Sequence, residues 1–275
     1  MTYTELWRSL TPLYSAGEAQ AVARTVLDLR FGFSLTDLVC GKVNELSAEQ
    51  KMLLDKIFKR LQQGEPVQYV LGQADFRGRV FHVNPSVLIP RPETARLVEM
   101  AAGRMAAGSR ALDVGTGSGC IAVSLALECG GNRVEAWDIS EAALTVAAGN
   151  ASRLGARVEF RRCNALDPPD DVRQWDVVVS NPPYVTESER RDMEPLVVDH
   201  EPRQALFVPD DDPLRFYRSI SRYASKALVE GGWLLFEVNP RFADDTAELM
   251  RGLGFGSVEV VVDDYGHRRY ALGQR

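Results

Sequence analysis

The residues best suited to chemistry are Asn181-Pro182-Pro183-Tyr184, which follow the apolar run Trp175-Asp176-Val177-Val178-Val179 after Ser180. The Asn181 side-chain oxygen and the Pro182 backbone carbonyl can each accept one N–H from the same NH2 group. Proline fixes φ, so the two acceptors are preorganised. Tyr184 can stack on a planar group. Such a group, an amide or an exocyclic amine, is a weak nucleophile because its lone pair is delocalised. Catalysis would then consist mostly of aiming that nitrogen at an electrophilic carbon. A Pro-Pro turn after a strand is common by itself, and Asp167-Pro168-Pro169-Asp170 provides the contrast. It follows no apolar strand and carries an acid where the aromatic should be, so it reads as a plain loop.

A second constellation would supply the electrophile. Asp113-Val114-Gly115-Thr116-Gly117-Ser118-Gly119 follows an apolar strand and opens a helix. Glycines there let the chain turn tightly and let a ligand lie against the backbone. A dinucleotide fold needs GxGxxG with pyrophosphate on the helix N-terminus. Here the third glycine comes one place early, which argues against a nicotinamide dehydrogenase. S-adenosylmethionine (SAM) needs no phosphate cradle, but its adenosine and sulfonium amino acid must be held, and Asp113 and Asp138 offer carboxylates to that cationic ligand. Asp138 ends the next strand about twenty residues on, where a carboxylate can accept from both ribose hydroxyls. The competing role for Asp138 is a helix cap, for which Ser140 already competes. For Asp113 it is ordering the adjacent loop.

These loops must be placed by the elements around them. Residues 16–31 carry Ala19, Val22, Ala23, Val26, Leu27 and Leu29 near a 3.6-residue period. Residues 47–63 open with a Ser47/Gln50 capping box, bury a stripe of Leu53, Leu54, Ile57, Phe58 and Leu61, and stop at Gly64. From residue 93 the chain alternates. Helices are predicted over 94–105, 120–129, 140–154, 214–229 and 243–253. Strands are predicted over 110–114, 133–137, 158–160, 175–179 and 233–238, and a final hairpin over 258–262 and 267–272. That order means an α/β fold, a doubly wound and mostly parallel sheet with one antiparallel strand. In such a sheet the strand after the third helix lies beside the first, which brings residues 181–184 to the turn at 115–119. The expected division is a helical domain over 1–75, a linker with short strands over 76–92, and the sheet domain over 93–275.

Composition excludes several classes. The 275 residues are 45% hydrophobic and 25% charged, with a net charge of −6. That is a globular profile and a poor one for gripping nucleic acid by bulk charge. No stretch approaches the ~18 apolar residues of a membrane span, and the first residues lack the basic start and apolar run of a signal peptide. Cys40, Cys120, Cys129 and Cys163 form no CxxC pair, and His82, His200 and His267 are scattered, so no metal site is expected. Free thiols fit a reducing cytoplasm.

Taken together, the chain resembles the HemK/PrmC family, the protein-(glutamine-N5) methyltransferases of peptide chain release factors. The segment GEPVQYVLG at 64–72 looks like the family's linker motif, and VLIPRPET at 87–94 like its signature before the first methyltransferase helix. Asp113 with residues 115–119, Asp138 and Asn181 to Tyr184 match its SAM and NPPY motifs. Glu201-Pro202-Arg203, Ala205-Leu206, Asp264-Tyr265 and Arg268 match later segments. The resemblance implies a Rossmann-like SAM-dependent methyltransferase fold with a small N-terminal helical domain that helps bind the release factor. It implies that SAM contacts Asp113, Gly115, Thr116, Gly117, Ser118, Gly119, Asp138, Asn164, Ala165 and Asn181. The glutamine of the factor's Gly-Gly-Gln loop would enter at Asn181, Pro182, Pro183 and Tyr184, with Arg91 and Glu93 also on the substrate side. Asn181, Pro182 and Tyr184 would be catalytic. A cytoplasmic monomer is implied, with a protein substrate and no need of nucleic acid or membrane. Two departures stand out. Ala95 replaces an acid often found after PET. Cys163-Asn164-Ala165 replaces an acid-aromatic pair near the adenine; Asn164 can still bond the adenine amino group, whereas Ala165 offers little stacking surface.

Two rival readings are an adenine-N6 methyltransferase acting on a flipped base and a catalytically silent SAM-binding module. The first should carry cations for phosphates, yet residues 1–75 hold eight Lys/Arg against nine Asp/Glu. An intact NPPY argues against the second.

Overall fold

Four helices in the first 72 residues start with the same reciprocal cap. Thr2 with Glu5, Ser15 with Glu18, Ser34 with Asp37 and Ser47 with Gln50 each satisfy two orphan backbone donors. They open α1 (Tyr3–Arg8), α2 (Ala16–Phe31), α3 (Leu35–Val39) and α4 (Ala48–Gln62). The buried stripe of α2 is Ala19, Ala23, Val26 and Leu27, and that of α4 is Leu54, Ile57, Phe58 and Leu61. Leu29 and Leu53 fit the apolar period but sit at the rim of their stripes and are exposed. Residues 64–72 hold a helix the sequence pattern did not show. Gly64 turns the chain at φ +84°, Arg60 pairs with Glu65, and α5 (Val67–Leu71) follows. Arg60 also donates to the Val70 carbonyl, and Arg30 donates to that of Leu71 (2.8 Å).

This is a computed structural model that describes residues 1–193 and 195–275. By its contacts, residues 1–72 together with 195–200 form one unit, and residues 73–193 with 201–275 form the other. The second unit opens with an antiparallel pair, β1 (Gln73–Phe76) and β2 (Arg79–His82), whose Phe76 and Phe81 enter its core. There follow α6 (Thr94–Ala102), β3 (Arg110–Val114), α7 (Cys120–Glu128), β4 (Arg133–Asp138), α8 (Glu141–Leu154), β5 (Val158–Arg162) and β6 (Trp175–Ser180). Next come β7 (Val185–Thr186), α9 (Pro195–His200, within the first unit), α10 (Arg203–Leu206) and β8 (Phe207–Val208), β7 and β8 pairing in parallel. The chain ends with α11 (Arg215–Ala227), β9 (Leu228–Glu237), α12 (Ala243–Gly252), β10 (Gly256–Val262) and β11 (Arg268–Gln274).

The seven-stranded sheet runs in the order β10-β11-β9-β6-β3-β4-β5. Every strand is parallel to the others except β11, which runs antiparallel to both β9 and β10. The predicted architecture is therefore found, and β6 does lie beside β3. Strand alternation sorts the core onto two faces. Ala111, Val177, Val179 and Leu235 pack with Leu97 of α6 and Ile121 of α7. Leu112, Val178, Leu234 and Phe236 pack with Tyr217 and Ile220 of α11 and Met250 of α12. With both faces of β3 and β6 covered, their carboxyl ends form an edge at which a ligand can sit. Among the described residues no helix is long and apolar enough to cross a membrane.

Candidate active site

The turn after β3 is drawn against the end of β4. Gly115 and Thr116 donate their backbone N–H groups to the Trp137 carbonyl (2.8 and 2.9 Å). Gly117, at φ +53°, donates to Asp138 Oδ2 (2.9 Å), and Asp138 Oδ1 accepts from the Ser140 N–H (2.9 Å). Asp138 is thus pinned by two backbone donors while Ser140 caps α8 through Ala143. Gly119 sits at φ +82°, and a Cβ there would come within 3.0 Å of the Ala147 Cβ, so any side chain would push α7 from α8. At Gly115 and Gly117 a Cβ would meet nothing within 4 Å, so the backbone there faces open space. Asn150 of α8 locks the turn from behind. It is fully buried, donates to the Ser118 and His82 carbonyls (both 2.9 Å) and accepts from the His82 N–H (2.7 Å).

The turn borders a cavity of about 300 Å³. Its walls are residues 114–118, 138–140, 163–166 and 180–183 at the strand ends, residues 86–91 before α6, and Phe216 and Ile220 from α11. Of the residues singled out from the sequence, Gly115, Thr116, Gly117, Ser118, Asp138, Asn164, Ala165, Asn181, Pro182, Pro183 and Arg91 all line it. Ser180 Oγ donates to the Val114 carbonyl (2.6 Å), tying the Asn-Pro-Pro segment to the Gly-rich turn.

Four singled-out residues lie outside the lining. Gly119 is turned toward Ala147. Glu93 precedes α6, and its carbonyl accepts from the Tyr270 hydroxyl (2.8 Å). Tyr184 does not offer its ring to the cavity as expected for stacking on a substrate; it points into the protein, donating to Glu237 Oε1 (3.2 Å), and burial, then the Glu237 charge, push its phenol upward. Asp113 lies beneath the turn, fully buried. Its Oδ2 accepts from Thr116 Oγ1 (2.7 Å) and the Ala122 N–H (3.2 Å), while Oδ1 has no partner.

Arg91 does not face the cavity as a free cation. It pairs with the buried Glu201, whose Oε2 also accepts from the Ile89 N–H (3.1 Å). That acid ties residues 201–205, which bring Gln204 and Ala205 into the lining, to the 89–91 segment. Asn164 turns its Oδ1 into its own loop, accepting from the Leu166 N–H (3.0 Å). The aromatic surface that Ala165 lacks is present nearby in Phe216. Thr94 and Glu237 were not singled out for the site. Thr94 lines the cavity and is 2% exposed, and Glu237 lies behind it at 1%. A signal for Glu237 was available, since an acid ending an apolar strand is also what marks Asp113 and Asp138.

Burial pushes the Asp113 carboxyl up to about 7, against the opposing pull of its two hydrogen bonds. Because this folded value lies above the unfolded one, the folded state keeps a proton that the unfolded chain loses from about pH 4 upward. The group's contribution to stability is complete below about pH 4 and declines as pH rises toward about 7. Asp113→Asn preserves the neutral shape and its accepting oxygen. In thermal unfolding without ligand, D113N should melt above the parent chain at about pH 8, and the two should converge near about pH 4. Curves that stay parallel across that window would remove burial as the cause.

Comparison with known proteins gives the family. Residues 94–199 match the methyltransferase small domain, and residues 11–72 match the PrmC N-terminal domain. The release factor glutamine methyltransferase of Bacteroides thetaiotaomicron is 43% identical over 270 residues, covering 98% of this chain and 97% of the relative. The protein of the same name from Neisseria gonorrhoeae is 39% identical over 279 residues, covering 100% and 98%. A solved methyltransferase from Pyrococcus furiosus aligns with a TM-score of 0.52 at 19% identity, over 70% of this chain and 87% of that one, which supports the fold alone. With full-length relatives at such identity and a matching family segment in each half, this chain belongs to the release factor glutamine methyltransferase family.

Proposed function

We propose that this enzyme transfers the methyl group of SAM to the side-chain N5 of the glutamine in the Gly-Gly-Gln loop of a peptide chain release factor. The observation that carries the reading is that Asn181-Pro182-Pro183 and the 115–118 turn line one cavity. The residues present fit the cofactor. Gly115 and Gly117 leave open space where side chains would project, and Asp138 is held at the wall with lone pairs to spare. Asp113 holds an unpartnered carboxylate oxygen beneath the turn. Phe216, Ile139 and Ile220 give apolar surface for a flat ring. Bound there, SAM supplies an electrophilic methyl carbon.

The chain's own residues supply the rest. Asn181 Oδ1 and the Pro182 carbonyl accept the two N–H bonds of one amide NH2, which orients the nitrogen and favours its partly tetrahedral form. The new bond would form as the methyl carbon–sulfur bond breaks, leaving the thioether S-adenosylhomocysteine. Positive charge develops on nitrogen only then, so no side chain has to remove a proton beforehand, and the strongly acidic methylated amide releases its proton to solvent. Tyr184 supports this segment from behind through its bond to Glu237. On this reading residues 1–75 contribute to release-factor binding, and the enzyme works in the cytoplasm as a monomer on a protein substrate.

The test is mass spectrometry of the Gly-Gly-Gln peptide after a purified release factor is incubated with this enzyme and SAM, with naked DNA as the competing acceptor. The expected result is one added methyl on that glutamine and none on DNA. Transfer to adenine, or no transfer to the factor, would overturn the assignment.

A further inference from the structure

Glu237 ends β9 beside the end of β6, where Ser180 is in register with Phe236. Its two carboxylate oxygens reach both ends of the 181–184 segment. Oε1 accepts from the Tyr184 hydroxyl (3.2 Å), and Oε2 accepts from Thr94 Oγ1 (2.8 Å). Thr94 Oγ1 in turn accepts from Asn181 Nδ2 (3.3 Å). A second tie comes from Asn239, whose Nδ2 donates to the Tyr184 carbonyl (3.1 Å).

The direction of this chain follows from donor and acceptor inventory. Burial pushes the Glu237 carboxyl upward against the opposing pull of the Thr94 hydrogen bond, Arg269 and the Tyr184 hydrogen bond. As the carboxylate it only accepts, so the single hydroxyl hydrogen of Thr94 is then committed to Glu237. Thr94 then has only lone pairs to offer Asn181, and the amide must present its NH2 to Thr94 and its oxygen elsewhere. The flipped amide would set oxygen against oxygen and leave a buried bond unmade, at about 1–3 kcal/mol.

We propose that Thr94 and Glu237 are positioning residues that set the face of the Asn181 amide, so that its oxygen rather than its nitrogen is offered to the substrate NH2. This rests on the amide-methylating reading above and adds to it the device that makes Asn181 a one-way acceptor. Neither residue need touch the reacting atoms. Thr94 acts through its hydroxyl, and Glu237 acts on the Asn181 amide through Thr94 while its other oxygen, which a glutamine there would keep, holds Tyr184.

The experiment compares T94V, which keeps the volume and removes the hydroxyl, with T94S, which restores it, alongside E237Q and the T94V/E237Q double variant. For T94V the expected loss in kcat is about 10- to 100-fold, the scale of a misaimed reactive group, with SAM affinity unchanged. T94S should recover most of the rate. The double variant should be little slower than T94V, because both changes break one chain. Thermal melts establish that each variant is folded. A readout independent of turnover is the Asn181 side-chain NH2 signal in two-dimensional 15N spectra, which should move in T94V and stay in T94S. A T94V enzyme with parent kcat, a T94S enzyme as slow as T94V, or an NH2 signal indifferent to both would overturn the proposal. If the parent enzyme methylated DNA and not the release factor, the functional assignment would fail. The NH2 signal would still decide whether Thr94 orients Asn181.

Discussion

Replacing Asn181 by alanine is expected to lower kcat by about 100- to 1000-fold, the range seen when one preorganised polar group aimed at a transition state is removed. The loss should fall on turnover rather than on SAM binding, because the turn at 115–118 and Asp138 keep all of their own hydrogen bonds without Asn181. The fold should persist as well. Asn181 is half-buried and its side chain donates to Thr94, so alanine leaves no large void and frees one hydroxyl acceptor. Aspartate is an informative second replacement. It retains an accepting oxygen but loses the NH2 that meets Thr94, placing acceptor against acceptor and a second charge near Glu237. N181D should therefore be impaired too, although the reacting oxygen is nominally present. Steady-state kinetics on purified release factor, with calorimetry of SAM binding, checks both variants. An alanine enzyme within about tenfold of the parent would show that the Pro182 carbonyl and the pocket shape suffice.

Asp138→Ala should act on the other half of the reaction, weakening SAM by about 30- to 150-fold, equivalent to one lost charge-assisted hydrogen bond of about 2–3 kcal/mol. Two effects combine. The carboxylate proposed to receive the ribose hydroxyls disappears, and the Gly117 N–H loses the acceptor that holds the turn in shape. At saturating SAM the turnover number should be largely preserved, because Asn181 and its supports are untouched. Asp138→Asn separates the two effects. It keeps one oxygen for Gly117 or Ser140 and loses the charge, so an intermediate affinity is expected. The measurement is the SAM dissociation constant, supported by the rise in melting temperature that saturating ligand produces. An affinity within about threefold of the parent would mean that Asp138 only shapes the loop.

Local signals carried most of the architecture. Strands β3, β4 and β6 are legible because each is an apolar run ended by a glycine turn, an Asp or an Asn. Helices α4 and α8 are legible because their caps and periods agree. The misses have physical causes. β5 runs two residues further than its apolar run suggested, since Arg161 and Arg162 pair with Trp137 and Asp138 of the neighbouring strand while their side chains remain in solvent. α5 is too short for a period to register, and β7 and β8 are two-residue strands that exist only because they pair with each other. The same distinction holds at the site. Gly117 and Asp138 are close in sequence, and their partnership follows from a known turn. The bond from Thr94 to Glu237 spans 143 residues, and that between Arg91 and Glu201 spans 110, so neither has a local pattern. Tyr184 was expected to stack on the substrate's planar group, but its hydroxyl is turned to Glu237 instead, because a side chain's direction depends on what lies behind it.

The insertion of β9 between β6 and β11 also imposes an order of assembly. Asn181 leaves the ribosome 53 residues or more before the acid that steadies its segment, whereas Gly117 and Asp138 emerge almost together. A growing polypeptide can therefore form the contact between Gly117 and Asp138 well before Glu237 is present to steady residues 181–184.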